Sequence, residues 1–256
     1  MTPSSPRLGA AIITGAESGI GRATALALAE THAAVGMTWM RSHQAMHAVA
    51  AEVEGLGSRA VVEHLDFADR DRVSDTIERM LDALGSVRTL VNNAAMPFTE
   101  LFLDCDLHDV HRVFEVNFFG HFTVMQAVGR RMVRDGVPGV LVNVTSVQQE
   151  RATVGSSVYA CAKAALAQLA RSAAVELGSK GIRAVSVAPG EIVTAMNDEE
   201  GMDPRGLHRQ HTPLGRPGGP AEVANVIRFL TSPDASYVTG STVYCDGGIT
   251  VSLPSP

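Results

Sequence analysis

Tyr159 and Lys163 stand four residues apart in an apolar, helix-patterned run from Ser157 to about Gly178. Residues at i and i+4 share one helix face, so their side chains can act together. A phenol is a weak acid, with a reference pKa of about 10, and an ammonium beside it stabilises the phenolate. The expectation is a Tyr159 pKa drawn down toward the working pH, which makes the pair a proton donor and acceptor. Upstream, Ser146 lies in Val144-Thr145-Ser146-Val147 at the end of an apolar, strand-like run. Its hydroxyl can hold a carbonyl oxygen next to Tyr159. Alone, a YxxxK pair is common on amphipathic helices as a packed tyrosine beside a surface lysine, so the surrounding elements decide its meaning.

Those elements alternate. Leu8 to Thr14 reads as a short buried strand running into Thr14-Gly15-Ala16-Glu17-Ser18-Gly19-Ile20-Gly21 and an Ala/Leu-rich helix from Arg22 to Glu30. Further strand patterns run from Ala33 to Trp39, Arg59 to Leu65, Thr89 to Asn92, Gly139 to Thr145, Ile182 to Ala188 and Ser241 to Tyr244. Between them, helical patterns run from Ser42 to Glu54, Asp69 to Leu84, Leu107 to Arg134, Ser157 to Gly178 and Ala221 to Leu230. Strands alternating with helices imply a seven-stranded parallel sheet with helices on both faces and right-handed crossovers. No repeat or linker interrupts the pattern, so residues 1–256 read as a single doubly wound α/β domain. The irregular stretch 191–219, rich in Pro, Gly, Asp and His, reads as a substrate lid, because long loops in compact domains are usually binding loops.

Composition narrows the function classes. Hydrophobic residues make up 45% of the 256-residue chain and charged residues 19%, which suits a large core and argues against disorder. The net charge of −6 provides no basic field for nucleic acid. No apolar run reaches the ~18 residues of a membrane span, and Ala10 to Thr14 is too short for a signal-peptide core. Cys105, Cys161 and Cys245 are odd in number and widely spaced, which reads as free thiols in a reducing compartment; a cytoplasmic enzyme is expected. His208 and His211 have no third ligand at a recognisable spacing, so no metal site is expected and both read as exposed loop histidines.

The first strand-turn-helix is where a doubly wound fold binds a dinucleotide, with glycines admitting the pyrophosphate to the positive end of the next helix. Here the spacing is GxxxGxG, with Gly15, Gly19 and Gly21, and Ser18 and Ile20 between them. Taken with Asp66, Asn92-Asn93-Ala94-Ala95, Asn117, Ser146, Tyr159, Lys163, Pro189-Gly190 and Thr194 in that order, the chain resembles the short-chain dehydrogenase/reductase family over nearly its whole length. Within it the chain is similar to bacterial carbonyl reductases, acetoin-type dehydrogenases and glucose-type dehydrogenases. The resemblance implies a Rossmann fold and an NAD(P)-dependent oxidoreductase that interconverts a ketone and a secondary alcohol. It implies Tyr159 as general acid/base, Ser146 as the carbonyl-orienting hydroxyl, Lys163 as ribose ligand and modulator of Tyr159, and Asn117 as anchor of a water next to Lys163. It further implies Asp66 and Phe67 at the adenine, Asn93 at the adenosine ribose, and Ile192 and Thr194, after Pro189-Gly190, at the nicotinamide carboxamide. Ala95 stands where the family usually has Gly.

An acid at the end of the second strand selects NAD, but Trp39 occupies that position and Arg41 is the one nearby cation. NADP(H) is therefore favoured, with NAD(H) as the alternative, and Glu17 counts against the phosphate. Pro97, Phe98, Val147, Gln148, Gln149, Val154 to Ser156 and Met196 are expected to line an apolar pocket with few polar groups, suited to an uncharged small-molecule ketone or alcohol. Asp198-Glu199-Glu200 reads as a solvated lid turn. The rival chemistries are 3-oxoacyl-thioester reduction, for which Arg130, Arg131, Arg134 and Lys180 are the candidate carrier contacts, and sugar dehydrogenation. A nucleotide-binding sensor without catalysis is the non-enzymatic reading. The helical runs from Leu107 and Ser157 carry apolar residues on more than one face, including Phe114, Phe118, Phe119, Val124, Ala165, Leu166, Leu169 and Ala173. The resemblance then implies a homotetramer in which these helices pair.

Overall fold

The computed structural model describes residues 7–197 and 199–252. Seven strands form one parallel sheet: β1 (Leu8–Ile13), β2 (His32–Trp39), β3 (Arg59–His64), β4 (Val87–Asn92), β5 (Gly139–Val144), β6 (Ile182–Pro189) and β7 (Thr242–Cys245), in the spatial order β3-β2-β1-β4-β5-β6-β7. Successive side chains of a strand point to opposite faces. Ala11 and Ile13 thus enter one core layer, and Ala10 and Ile12 the other. The first layer is closed by α1 (Gly19–Ala29), α2 (His43–Gly55) and α7 (Pro220–Thr231); the second by α3 (Arg70–Leu84), α5 (Gly120–Asp135) and α6 (Ser157–Leu177). Ile12, Ile13, Leu90 and Leu141 are fully buried, each contributing about 1.5–3 kcal/mol by leaving water. Strand order reverses between β1 and β4, and the crevice at the C-terminal ends of these strands is where a doubly wound sheet takes its ligand.

The helix expected from Leu107 to Arg134 is not continuous. It divides into α4 (Leu107–Phe114), a five-residue π segment (Glu115–Phe119) and α5. Asn117 explains the break. Its fully buried amide donates from Nδ2 to Val113 O at 3.1 Å, using a carbonyl of the preceding turn, and to Met96 O at 3.0 Å. A side chain that takes a ladder carbonyl widens the turn, and such π bulges gather at functional sites.

The 191–219 stretch is a clasped loop. Ile192 bridges Gly218, and Arg209 donates from Nε to Glu191 Oε2 at 2.6 Å while its Nη2 meets Glu199. His211 pairs with the other Glu191 oxygen. The expectation of a solvated turn at Glu199 is therefore corrected: its side chain is only 16% exposed, held by a guanidinium that reaches two carboxylates at once. Asp198 of that run lies outside the described residues.

Candidate active site

β5 ends at Val144, and the chain turns so that Ser146 caps a short 3-10 turn, Val147–Gln149, its hydroxyl oxygen accepting from Gln148 N at 3.2 Å. The same hydroxyl stands next to the phenol of Tyr159, in the first turn of α6, where it favours the phenolate. Lys163, one turn on, is 1% exposed; its Nζ donates to Val144 O at 3.1 Å and lies 5.6 Å from the centre of the Tyr159 ring. Three groups from two elements thus meet at the C-terminal edge of β5. The expected fall in the Tyr159 pKa is not found. Burial pushes the phenol up to about 12, against the lowering effect of Ser146, and burial lowers Lys163 to about 7. Desolvation disfavours the charged form of both residues, so Lys163 is about half protonated at pH 7 and lends only part of a charge.

Asn117 lies against the loop that follows β4. Its amide embraces Met96: Met96 N donates to Oδ1 at 3.2 Å, and Nδ2 returns a bond to Met96 O. One turn later on the same face is a residue that the sequence reading did not single out. His121 is fully buried and bonds Ala94 O through Nε2 at 2.7 Å. A carbonyl only accepts, so Nε2 carries the proton and Nδ1 is a buried lone pair without a partner among the described residues. Burial first, then the neighbouring Lys163, lowers its pKa to about 3. The i+4 spacing from Asn117 was the available signal. Asn117 and His121 together pin the main chain of Ala94 and Met96.

The β1–α1 turn is held from the same loop. Asn93 N and Ala94 N donate to Thr14 Oγ1 at 2.9 and 3.1 Å, and Asn93 Nδ2 donates to Thr14 O and Gly15 O, both at 3.0 Å. Asn93 therefore braces the glycine turn with its amide. Gly15 has φ of 64°, and a Cβ there would come within 2.9 Å of Ala94 Cα; a Cβ on Gly21 would meet Gly15 O at 2.1 Å. Gly19, with φ of 53°, faces Thr194 across the cleft. Ser18 caps α1 with extended backbone but makes no side-chain cap bond, and no acidic residue enters the first helical turn. The helix thus presents uncompensated N–H groups beside Ile20, which suits a pyrophosphate. These residues fit a dinucleotide.

At the far end of the cleft, Trp39 ends β2 with its ring edge-on to His43 and His64. The carboxylate of Glu17 accepts from Met40 N at 2.7 Å and Arg41 N at 3.0 Å. Arg41 is exposed, and no ion pair of its guanidinium occurs among the described residues. Asp66 follows β3, one oxygen accepting from Ala68 N at 2.9 Å, while Phe67 is buried edge-on to His121. On the other side, Pro189 ends β6. Gly190 lets the chain pass Asp246, where a Cβ would come within 2.8 Å of Cα; Ile192 is buried behind it and Thr194 half-buried in front.

The expected substrate residues divide. Gln149 donates to Tyr244 Oη at 3.1 Å, a partner on β7 that sequence spacing did not reveal. Gln148 reaches Thr153 Oγ1 at 3.4 Å. Val154 is 86% exposed and Met196 47%, so neither is packed into a closed pocket. A cavity of about 470 Å³ opens at the other end of the sheet, lined by Leu8, Arg88, Pro138, Gly181 and Ser232, away from Tyr159.

A family model described as enoyl-(acyl carrier protein) reductase matches residues 15–250. The chain is 38% identical over 247 residues to an L-rhamnose 1-dehydrogenase (NAD(P)(+)) of a Sphingomonas species, covering 94% of this chain and 96% of that one. It is also 38% identical over 240 residues to a 3-oxoacyl-[acyl-carrier-protein] reductase of a Synechocystis species, covering 93% and 96%. The crystal structure of an acetoin dehydrogenase from Enterobacter cloacae superposes with a TM-score of 0.91 at 37% identity, covering 98% of this chain and 99% of that one. With its seven-stranded parallel Rossmann-type sheet and these relatives, the chain belongs to the short-chain dehydrogenase/reductase family, and it is an NAD(P)-dependent oxidoreductase acting on alcohol and carbonyl groups.

Proposed function

We propose that this enzyme interconverts a small, uncharged ketone and its secondary alcohol, with Tyr159 as the proton donor and acceptor. The observation that carries the reading is the placement of the Ser146 hydroxyl next to the Tyr159 phenol, beside a buried Lys163. Two hydroxyls at one point can both bond a carbonyl oxygen, Ser146 orienting it and Tyr159 protonating it. A bound nicotinamide supplies or accepts the hydride. The dinucleotide would be held by Gly15, Ser18, Gly19, Ile20 and Gly21 at its phosphates and by Asp66, Phe67 and Asn93 at its adenosine. Tyr159, Lys163, Pro189, Gly190, Ile192 and Thr194 would hold the nicotinamide half. At pH 7 the Tyr159 phenol keeps its proton, which suits the reductive direction.

For cofactor choice we keep NADP(H) as the favoured partner. Arg41 has a guanidinium free for a 2′-phosphate, and the Glu17 carboxylate is already engaged by two backbone amides. That carboxylate is still a negative charge at the same edge, so NAD(H) is accepted too.

The free-ketone reading draws support from the expected carrier contacts. Of the four, Arg131 is paired with Asp82 and Asp135, and Arg134 with Asp135, which halves the positive charge available there to an acidic carrier; Arg130 and Lys180 stay exposed. A sugar ketone or lactol is the second reading, favoured by the similarity to a rhamnose dehydrogenase. We further read 1–256 as one cytoplasmic domain that assembles as a homotetramer through α4, α5 and α6. Leu103, Leu107, Phe119 and Phe122 lie exposed beside or on α4 and α5, and Val175 on α6, although Val124 and Leu166 are buried within the subunit. A substrate panel with NADPH and NADH tests the function. Reduction of a free diketone faster than of an acyl thioester is expected; the reverse order overturns the reading.

A further inference from the structure

We propose that His43 and His47 form a two-histidine site for a divalent transition-metal ion, Cu²⁺ or Ni²⁺, at the start of α2. The residues are four apart on the helix and both exposed, with their Nε2 atoms 2.8 Å from each other. Their ring centres are 4.1 Å apart and the planes are inclined at 68°. A straight N–H···N bond between two imidazoles needs ring centres about 5 Å apart, given its usual length. The shorter separation means that the contact is bent, leaving both nitrogens open to one ion at the side of the pair. Two imidazole nitrogens bound cis to one ion, at bonds of about 2.0–2.1 Å, stand about 2.9 Å apart when the angle at the ion is a right angle. A tetrahedral angle would spread them to about 3.4 Å. The observed spacing fits tetragonal or octahedral ions of the imidazole-preferring class better than tetrahedral zinc.

The local frame holds the pair in register. Ser42 Oγ accepts from Ala45 N at 3.1 Å, fixing the first helical turn, and the Trp39 ring centre is 5.2 Å from that of His43. Among the described residues no group of three or more His, Cys, Asp and Glu side chains assembles for a metal, so the two imidazoles are the only protein ligands assigned and the exposed site leaves the other positions to solvent. Both Nε2 lone pairs bind the ion with each imidazole neutral and its proton on Nδ1. No electron is transferred. The helix N-terminus opposes a cation, which keeps the affinity modest. The site is separate from the Tyr159 cluster and does not depend on the reaction assigned to it.

Trp39 is the only tryptophan in the chain, which provides a direct readout. Purified protein is titrated with CuCl₂ while tryptophan emission is followed, with calorimetry for stoichiometry. Saturable quenching at one ion per chain is expected. His47→Gln, at an exposed position, should weaken the affinity by at least about tenfold, since loss of an outer-sphere partner alone costs that much at metal sites. His64→Gln and His211→Gln should leave it unchanged; His64 touches Trp39 but lies outside the pair. Wild-type affinity in His47→Gln with native circular dichroism overturns the proposal, as does quenching that never saturates below millimolar Cu²⁺.

Discussion

The ammonium of Lys163 sits over the face of the Tyr159 ring, 5.6 Å from its centre, and bonds the carbonyl of Val144. The cation is thus anchored to the strand end and positioned by it. In the free protein, burial raises the phenol and lowers the ammonium, so at pH 7 Tyr159 is neutral and Lys163 is poised to gain or lose its proton. This is a proton store with a hydroxyl relay at its mouth.

Tyr159→Phe retains the ring and its packing but loses the transferable proton. Turnover should fall by ~10² to 10⁴, the usual worth of general acid/base catalysis, with cofactor affinity kept within a few-fold. Steady-state rates and cofactor titration check this. More than half the activity remaining would remove Tyr159 from its assigned role.

Lys163→Ala should weaken cofactor binding and turnover together, and Lys163→Arg should not fully restore them, because a planar fork does not replace a compact ammonium in a closed site. The pH profile adds a sign. With the phenol at about 12, reduction should hold up to alkaline pH, while alcohol oxidation, which needs a base, should rise from pH 7 upward. A wild-type profile with normal affinity in Lys163→Ala would contradict the assignment.

Glu17 and Arg41 oppose each other at the adenosine edge. Glu17→Gln should raise NADP(H) affinity relative to NAD(H), and Arg41→Ala should lower it. Dissociation constants for both cofactors are the measurement. Equal changes for the two would show that neither residue reads the 2′ position.

Two buried histidines should make the fold acid-labile. His32 donates from Nδ1 to Leu28 O at 3.2 Å and accepts from the Thr89 hydroxyl at Nε2, and burial lowers its pKa to about 4; His121 is lowered to about 3. Both pKa values lie below the unfolded value of about 6.5, so the unfolded chain binds more protons and stability falls as pH drops. The loss begins near pH 6.5 and runs to about 4 for His32 and 3 for His121, at about 1.4 kcal/mol per pH unit for each. Urea unfolding between pH 7 and 4.5 should show this slope, and His32→Gln should reduce it by half. An unchanged slope would mean that His32 titrates normally.

Light scattering at micromolar concentration should give about four times the 27.0 kDa chain mass. Phe119→Asp and Phe122→Asp, at exposed positions on the α4–α5 face, should lower it. A clean monomer with full activity would end the tetramer reading.

Much of this was legible from residue type and spacing. The strands are short, mostly apolar runs separated by amphipathic stretches, so their sequence along the chain and the helices between them follow from local pattern. Ser146, Tyr159 and Lys163 could be brought together because a strand end and an i,i+4 pair fix geometry without long-range knowledge. The π segment was not legible. It depends on Asn117 reaching Met96, and nothing in the run from Leu107 marks a break. The Tyr159 pKa was misjudged for a related reason: spacing identifies neighbours, but the depth of burial that outweighs them is set by the whole fold. The Glu191–Arg209–Glu199 clasp likewise joins residues whose pairing only the folded loop reveals.

The Thr14 hydroxyl, accepting from two amides of the Asn93–Ala94 loop, also has a temporal meaning. During synthesis the glycine turn emerges early, yet its brace is encoded 79 residues later, beyond the three strands on one side of the sheet. Until β4 leaves the ribosome and inserts beside β1, the nascent turn has only its bonds to Thr38 of β2 and lacks both the Asn93–Ala94 brace and the wall beside it. A nascent chain ending before Asn93 should therefore gain no protection from added dinucleotide, and ligand rescue of a destabilised variant begins only once the central strand pair has closed.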